Sequence, residues 1–437
     1  VTHKVDRTPN RLIEVPAIAR VEGEGALHLG LRGDEIVDLR LDIYEPPRFF
    51  EAFLAGRHFS EVPDIVPRIC GICPVAYQMS AVHALEELFE VEVPQGTREL
   101  RRMLYCAEWI ESHMLHVHLL AAPDLLGYDS AIEMAQRERA AVERGLRIKR
   151  LGNDLLATIG GREIHPVSPR VGGFSRAPRP RDLRALAGRM HDAVAEIREV
   201  ADWAAGLPTP SFSPGTEMLA MVHPAEYPMN EGALASTEGR SFDARTFEDT
   251  VEEIHVEHSN ALHARFTGGG SYMVGPLARL NLNRERLTPV AAELAARLGV
   301  DGGAVRDRFA SMAARVVETA LALEESARLI DAYEPPEPPM ADVRPRAGRG
   351  AWVTEAPRGI LFHRYDVEAD GTILEAKIVP PTSQNLRHME EDLRAFIPSV
   401  VHQPDPQLAL SCEMLVRTYD PCISCATHFL RLDVRRE

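Results

Sequence analysis

The sequence predicts one mainly helical domain, α+β in class, with a helical-bundle core and small β elements near both termini. Three features predict it. Apolar residues recur at helical spacing through most of the stretch from Thr97 to Tyr333. Two-residue alternation, the mark of half-buried strands, falls in short hairpins early and late in the chain. The break at Glu334-Pro335-Pro336-Glu337-Pro338-Pro339 leaves too little chain beyond it for an independent core, so it reads as a connection inside one domain spanning residues 1–437.

In chain order, Leu27, Leu29 and Leu31 alternate with small or polar residues. Arg32-Gly33-Asp34-Glu35 supply a turn, and Val37, Leu39, Leu41 and Ile43 alternate again, predicting a hairpin. A short amphipathic helix is expected over 48–58. Arg68-Ile69-Cys70-Gly71-Ile72-Cys73-Pro74 follows, and Pro74 suits a first helical turn. Val75, Met79, Val82, Leu85 and Phe89 then share a helix face, so the first cysteine pair sits at a helix N-terminus, where the dipole favours thiolate. Leu100, Met103, Leu104, Ala107, Ile110, Met114 and Leu115 form a broad stripe on a helix expected over 97–121. Further helices are expected over 130–159, 180–205, 247–266, 289–298 and 304–333. A second hairpin is predicted over 359–367 and 372–379, turning at Asp370-Gly371, before short helices over 384–396 and 406–417.

Composition narrows the function. The 437 residues are 45% hydrophobic, too apolar for disorder. With 49 basic and 65 acidic residues the net charge is −16, which argues against nucleic acid or an anionic membrane surface as the main partner. No run approaches the roughly 18–20 apolar residues of a membrane span. Val1 to Asn10 are polar, with neither a signal-peptide core nor a twin-arginine pair, so a cytoplasmic location is expected.

Six cysteines are too few for a disulfide scaffold. Four form the Cys-x-x-Cys pairs Cys70/Cys73 and Cys422/Cys425, a four-thiolate set suited to a soft metal. Most of the chain separates the pairs, whereas zinc ribbons bring theirs close in sequence. Spacing alone leaves a zinc staple, a redox metal and a dithiol role open. Cys106 and Cys412 read as small core residues. His113, His116 and His118 read as packed or hydrogen-bonded structural histidines.

The flanking residues shift the balance towards a redox metal. Arg68-Ile69-Cys70-Gly71-Ile72-Cys73 and Asp420-Pro421-Cys422-Ile423-Ser424-Cys425-Ala426-Thr427-His428 resemble the two metal-binding motifs of nickel–iron hydrogenase large subunits. Arg20-Val21-Glu22-Gly23, Glu355-Ala356-Pro357-Arg358-Gly359 and Val379-Pro380-Pro381-Thr382-Ser383-Gln384-Asn385 recur in the family's order, so the resemblance covers almost the whole chain. It implies the large-subunit fold and reversible cleavage of dihydrogen. Cys70 and Cys422 would be terminal thiolates on nickel, and Cys73 and Cys425 would bridge nickel to an iron carrying carbon monoxide and cyanide. Glu22 would take the proton from Cys422; its bland reading is a surface acid beside Glu24, the weaker shuttle candidate. Glu51, His428 and the carbonyl of Ile378 would hold magnesium, although Glu51 also reads as a solvated helix residue. Arg358 would point at the metals, held by Asp124 and Asp420, with Thr382 or Ser383 serving a cyanide; both aspartates also read as ordinary turn or cap residues.

Tyr77 departs from many family members, which have histidine there. This resembles the cytoplasmic multi-subunit group that exchanges electrons with NAD(P) or related carriers. The resemblance implies an iron–sulfur small subunit, diaphorase or flavin subunits, nickel-insertion proteins, and an endopeptidase that removes the tail Phe429 to Glu437. A partner with clusters also follows from arithmetic, since Cys106 and Cys412 are too few to hold one. The alternatives are a hydrogen sensor, which commonly lacks such a tail, a complex I-type subunit, which has lost the four cysteines, and a zinc-stapled scaffold.

Overall fold

The computed structural model describes residues 10–428; residues 1–9 of the polar opening segment and the tail from Phe429 to Glu437 lie outside the described residues. Four long helices form the core: Gln95–Leu115, Arg139–Gly160, Pro180–Ala205 and Ser311–Asp331. Each packs on the next and the last returns to the first, closing a four-helix ring. The stripe read from the sequence faces inward, with Leu100, Met103, Leu104, Ala107 and Ile110 fully buried. The first helix runs on into a π-helical turn, His116–Ala121. The helix expected over 130–159 is two helices, Ala131–Arg137 and Arg139–Gly160. Ser130 caps the first of them, its hydroxyl accepting from Glu133 N at 3.1 Å.

Both expected hairpins form, Gly25–Arg32 with Glu35–Ile43 and Gly359–Val367 with Ile373–Val379. Each gains an antiparallel strand, Arg11–Val15 in the first sheet and Gly348–Ala356 in the second. The helix Pro74–Phe89 lies across the second sheet so closely that a Cβ at Gly350 would stand 2.1 Å from the Ala84 carbonyl oxygen. Glycine there lets the helix that follows the first cysteine pair rest on bare backbone.

Three expectations are corrected. The small sheets are not confined to the chain ends: Leu219–Val222, Ala233–Ser236 and Ser241–Phe242 form a sheet in mid-chain. The helix expected over 247–266 is only Phe247–Thr250, followed by a hairpin of Val251–Ile254 with His263–Phe266. There Phe247, Val251 and Phe266 pack with Tyr272, Val353 and Phe362 into a second, smaller core, and this tertiary burial overrides the local helical pattern. The helix over 48–58 shrinks to Phe50–Leu54, ended as Gly56 enters the left-handed region at φ 79°.

The two ends of the chain meet. Glu22 forms a parallel bridge with Cys422, and Ile423 N donates to Glu22 O at 2.9 Å. Arg48 N donates to Thr427 O at 2.6 Å. Gly23, at φ 91°, is required at this seam, because a Cβ there would lie 2.6 Å from Ile423 Cβ. Among the described residues no helix is long and apolar enough to cross a membrane.

Candidate metal centre

The seam brings the two cysteine pairs face to face. Cys70 Sγ lies 3.4 Å from Cys422 Sγ, Cys73 Sγ 3.8 Å from Cys425 Sγ, and Cys422 Sγ 2.7 Å from Cys425 Sγ. All four sulfurs fall within 4.8 Å of one another and are buried. Cys70 precedes the Pro74–Phe89 helix, as expected, and its sulfur accepts from the backbone N–H groups of Ile72 and Cys73, both at 3.3 Å. The first free amides of the helix itself are taken by the buried Glu108, which accepts from Val75 N at 2.6 Å and Ala76 N at 3.2 Å. Hydrogen bonds with Cys422, then with Cys425 and Cys73, hold the Cys70 thiol well below its ordinary value. Burial pushes Cys422 and Cys425 up, and for Cys422 the neighbouring sulfurs add to it. One charge is therefore easily placed in the cluster and further ones are not, so ionising the whole set calls for cations at its centre.

The surrounding polar atoms fit a charged centre with its own acceptor ligands. Arg358 is 2% exposed; its Nε donates to Asp420 O at 2.7 Å and its Nη2 to Asp420 Oδ1 at 3.1 Å. Burial opposes its charge, but Asp420 and the Cys422, Cys73 and Cys70 sulfurs outweigh that and keep the guanidinium ionised. Its Nη1 is buried with no hydrogen-bond partner among the described residues, as are Ser383 Oγ, Tyr77 Oη and Asp420 Oδ2. Thr382 Oγ1 accepts from Cys422 N at 3.0 Å, which leaves its own proton free to donate. Burial, then the charges of the cysteine sulfurs, keep the Tyr77 hydroxyl protonated. Asp124 does not reach Arg358 as expected. It pairs with Arg20 and with Arg417, whose Nε donates at 2.6 Å, and Arg417 in turn holds Ala19 O at 2.7 Å. Asp124 thus ties the Ala19–Arg20 segment to the helix before the second motif.

Glu22 is at the sulfur, with Oε2 3.1 Å from Cys422 Sγ and accepting from Ser424 N at 3.1 Å. Ser424 Oγ donates to Glu45 Oε1 at 2.6 Å. Glu24 meets this network through its backbone N, which donates to Glu45. Glu45 was not legible in the sequence, since nothing in Tyr44-Glu45-Pro46 separates it from a loop acid.

Glu51, Ile378 and His428 converge on the other side of the second motif. Ile378 N donates to Glu51 Oε1 at 2.8 Å, and His428 Nε2 lies 2.8 Å from Ile378 O and 3.6 Å from Glu51 Oε1. With His428 Nδ1 already 2.5 Å from Cys425 O, Nε2 faces two oxygen acceptors. That is the donor set of a small hard cation with an imidazole at its edge.

Arg279 carries no motif in the sequence, yet it organises the back of the site. Fully buried, it donates to Glu318 at 2.7 Å, to Glu355 Oε2 at 2.9 Å, and to the carbonyls of Ala356 and Pro357 at 2.9 and 2.8 Å, so it grips the turn that presents Arg358. Glu318 also meets His113 Nε2 at 2.9 Å. His116 bonds Arg417 O and His118 stacks on Trp203, so the three histidines are structural, as the sequence indicated. Arg279→Leu would strand two buried carboxylates. It is expected to cost about 3–5 kcal/mol of stability, read as an earlier urea-unfolding midpoint.

Four buried, converging sulfurs flanked by one guanidinium and one carboxylate make a site for a soft metal ion. The comparisons make this specific. The family described as nickel-dependent hydrogenase matches residues 48–152 and 222–428. Sulfhydrogenase 1 subunit alpha of Pyrococcus furiosus is 33% identical, over 96% of this chain and 98% of that one. The NAD-reducing hydrogenase HoxS subunit beta of Cupriavidus necator is 26% identical, over 96% and 95%. The crystal structure of an NAD+-reducing nickel–iron hydrogenase in its H2-reduced state superposes with a TM-score of 0.85 at 28% identity, covering 96% of this chain and 100% of that chain. The chain belongs to the nickel-dependent hydrogenase family, as a large subunit, and is an oxidoreductase.

Proposed function

We propose that this chain is the catalytic subunit of a nickel–iron hydrogenase that reversibly cleaves dihydrogen into protons and electrons. The convergence of four sulfurs from the two chain ends within 4.8 Å carries this reading. Cys70 and Cys422 would hold nickel, and Cys73 and Cys425 would hold nickel together with an iron carrying carbon monoxide and cyanide. When bound, such a pair of soft, electron-rich metals supplies the heterolysis of dihydrogen. The chain's own residues do the rest. Glu22 accepts the proton released at Cys422 Sγ, and Glu45, joined to Ser424 Oγ, is the next carboxylate outward. Arg358, steadied by Asp420, offers Nη1 to the centre, and Thr382 and Ser383 offer hydroxyl donors. Glu51, His428 and Ile378 O would hold Mg2+, which keeps several of its waters.

Electrons leave through an iron–sulfur small subunit, because the two remaining cysteines, Cys106 and Cys412, are too few to hold a cluster. The exposed Gly71, with Ile164 beside it and half exposed, offers a docking face one residue from Cys70. Likeness to the NAD-reducing relatives supports NAD(P) as the final acceptor, reached through diaphorase or flavin subunits, in a cytoplasmic complex. Maturation is assigned to nickel-insertion proteins and to an endopeptidase cutting after His428. Mass spectrometry of the matured chain is expected to find His428 as the last residue.

The decisive measurement is metal analysis of protein matured with its own accessory proteins. Stoichiometric nickel and iron are expected, and the chain alone should lack iron–sulfur absorption. Zinc as the only bound metal would overturn the reading.

A further inference from the structure

A second cluster of metal-ligating side chains lies outside the thiolate centre. His258 sits in the loop of the Val251–Ile254/His263–Phe266 hairpin, His263 opens the return strand, and Glu390 projects from the helix Pro381–Val400. One ligand atom from each lies within 4.8 Å of the others. His258 Nε2 is 2.7 Å from Glu390 Oε1, and the two imidazole planes cross at 85° with centroids 5.9 Å apart. His263 is 1% exposed, and its Nε2 is buried with no hydrogen-bond partner among the described residues. A buried imidazole nitrogen with nothing to bond is costly unless something completes it.

The frame around the cluster is already set. Glu390 Oε1 accepts from Leu41 N at 2.9 Å, and Asn260 N donates to Ile43 O at 2.7 Å, so the loop, the edge of the first sheet and the helix are held in register. Arg387, one turn away, is paired with Glu391. Burial, then His258 and Arg387, hold His263 at about 3, which leaves its imidazole neutral with a lone pair to give. His258 and Glu390 side chains are 23% and 15% exposed, so the third side of the cluster reaches solvent.

We propose that His258, His263 and Glu390 form a binding site for a divalent cation of the zinc class, separate from the thiolate centre and sharing no ligand with it. Two nitrogens and one carboxylate oxygen suit Zn2+ and disfavour Mg2+ or Ca2+, and three protein ligands leave a fourth position for water on the open side. The cation staples the hairpin loop and the first sheet to the helix whose first turn carries Thr382 and Ser383. Binding replaces the His258–Glu390 hydrogen bond with a bond from each side chain to the cation.

The test titrates the matured holoenzyme complex, first cleared of loosely held metal with a mild chelator, with Zn2+ alone against a chromogenic competitor. The wild type is expected to take one more tight equivalent than H258Q or E390Q, each of which binds at least about tenfold more weakly while hydrogen turnover with an artificial dye is unchanged. Both substitutions are at partly exposed positions, so a folding defect at buried His263 does not enter. X-ray absorption at the zinc edge should show nitrogen and oxygen neighbours only. Equal zinc uptake by wild type and both variants, or sulfur in the zinc shell, would overturn the proposal.

Discussion

Glu22→Gln is expected to lower hydrogen turnover by about two to four orders of magnitude, the range of a positioned acid–base group, with nickel and iron content unchanged. Glutamine keeps the length of the side chain, and its amide oxygen still accepts from Ser424 N, as Glu22 Oε2 does at 3.1 Å. It cannot take the proton from Cys422 Sγ, 3.1 Å away. Dihydrogen oxidation with an artificial dye should fall together with isotope exchange between D2 and solvent. Exchange within a factor of two of wild type would mean the proton leaves by another route. Glu22→Asp, one methylene shorter, should fall between the two, because distance is lost and proton affinity is not.

Cys422→Ser is expected to cut nickel content below about a tenth of wild type and to abolish turnover. Serine is nearly isosteric but offers a hard oxygen that stays protonated, where the centre needs a soft anionic sulfur. The loss extends beyond one ligand. Cys422 Sγ stands against Cys70, Cys425 and Glu22 at once, so its replacement also removes the proton donor to Glu22. Cys106→Ser is the contrast. Cys106 is just as buried but sits within the helix Gln95–Leu115 and belongs to no metal-ligating cluster among the described residues, so a moderate stability loss and full nickel content are expected. Metal analysis on protein from cells carrying the maturation apparatus separates the two. Full nickel in Cys422→Ser would remove that residue from the ligand set.

The bundle helices were legible because their apolar stripes are long and face one way. Pro180–Ala205 was anticipated to the residue. The strands Arg11–Val15 and Gly348–Ala356 were not, since each carries few alternating apolar residues and forms by pairing with a hairpin already present. Val251–Phe266 misled because Val251, Ile254, Leu262 and Phe266 can be spaced onto a helix face, while only the distant Phe362 and Val353 reveal which pairing buries them. At the centre, motif residues with fixed local spacing were readable, and the structure brings Cys70, Cys73, Cys422 and Cys425 together, with Glu22, Arg358 and Asp420 at their side. Asp124 went to Arg20 and Arg417 because its partner depends on where the π-helical turn His116–Ala121 delivers it. Arg279, Glu108 and Glu45 act through contacts between segments far apart in sequence, and no local pattern marks them.

Every residue from Leu415 to His428 is buried, and this stretch lies against the Ala19–Glu24 segment and Arg48. An ion held by Cys422 and Cys425 is expected to leave when that strap peels from its seat. Its escape is then timed by partial unfolding and not by ligand exchange, so chelators added to the native protein should extract it no faster than the strap's own amide protons exchange with solvent.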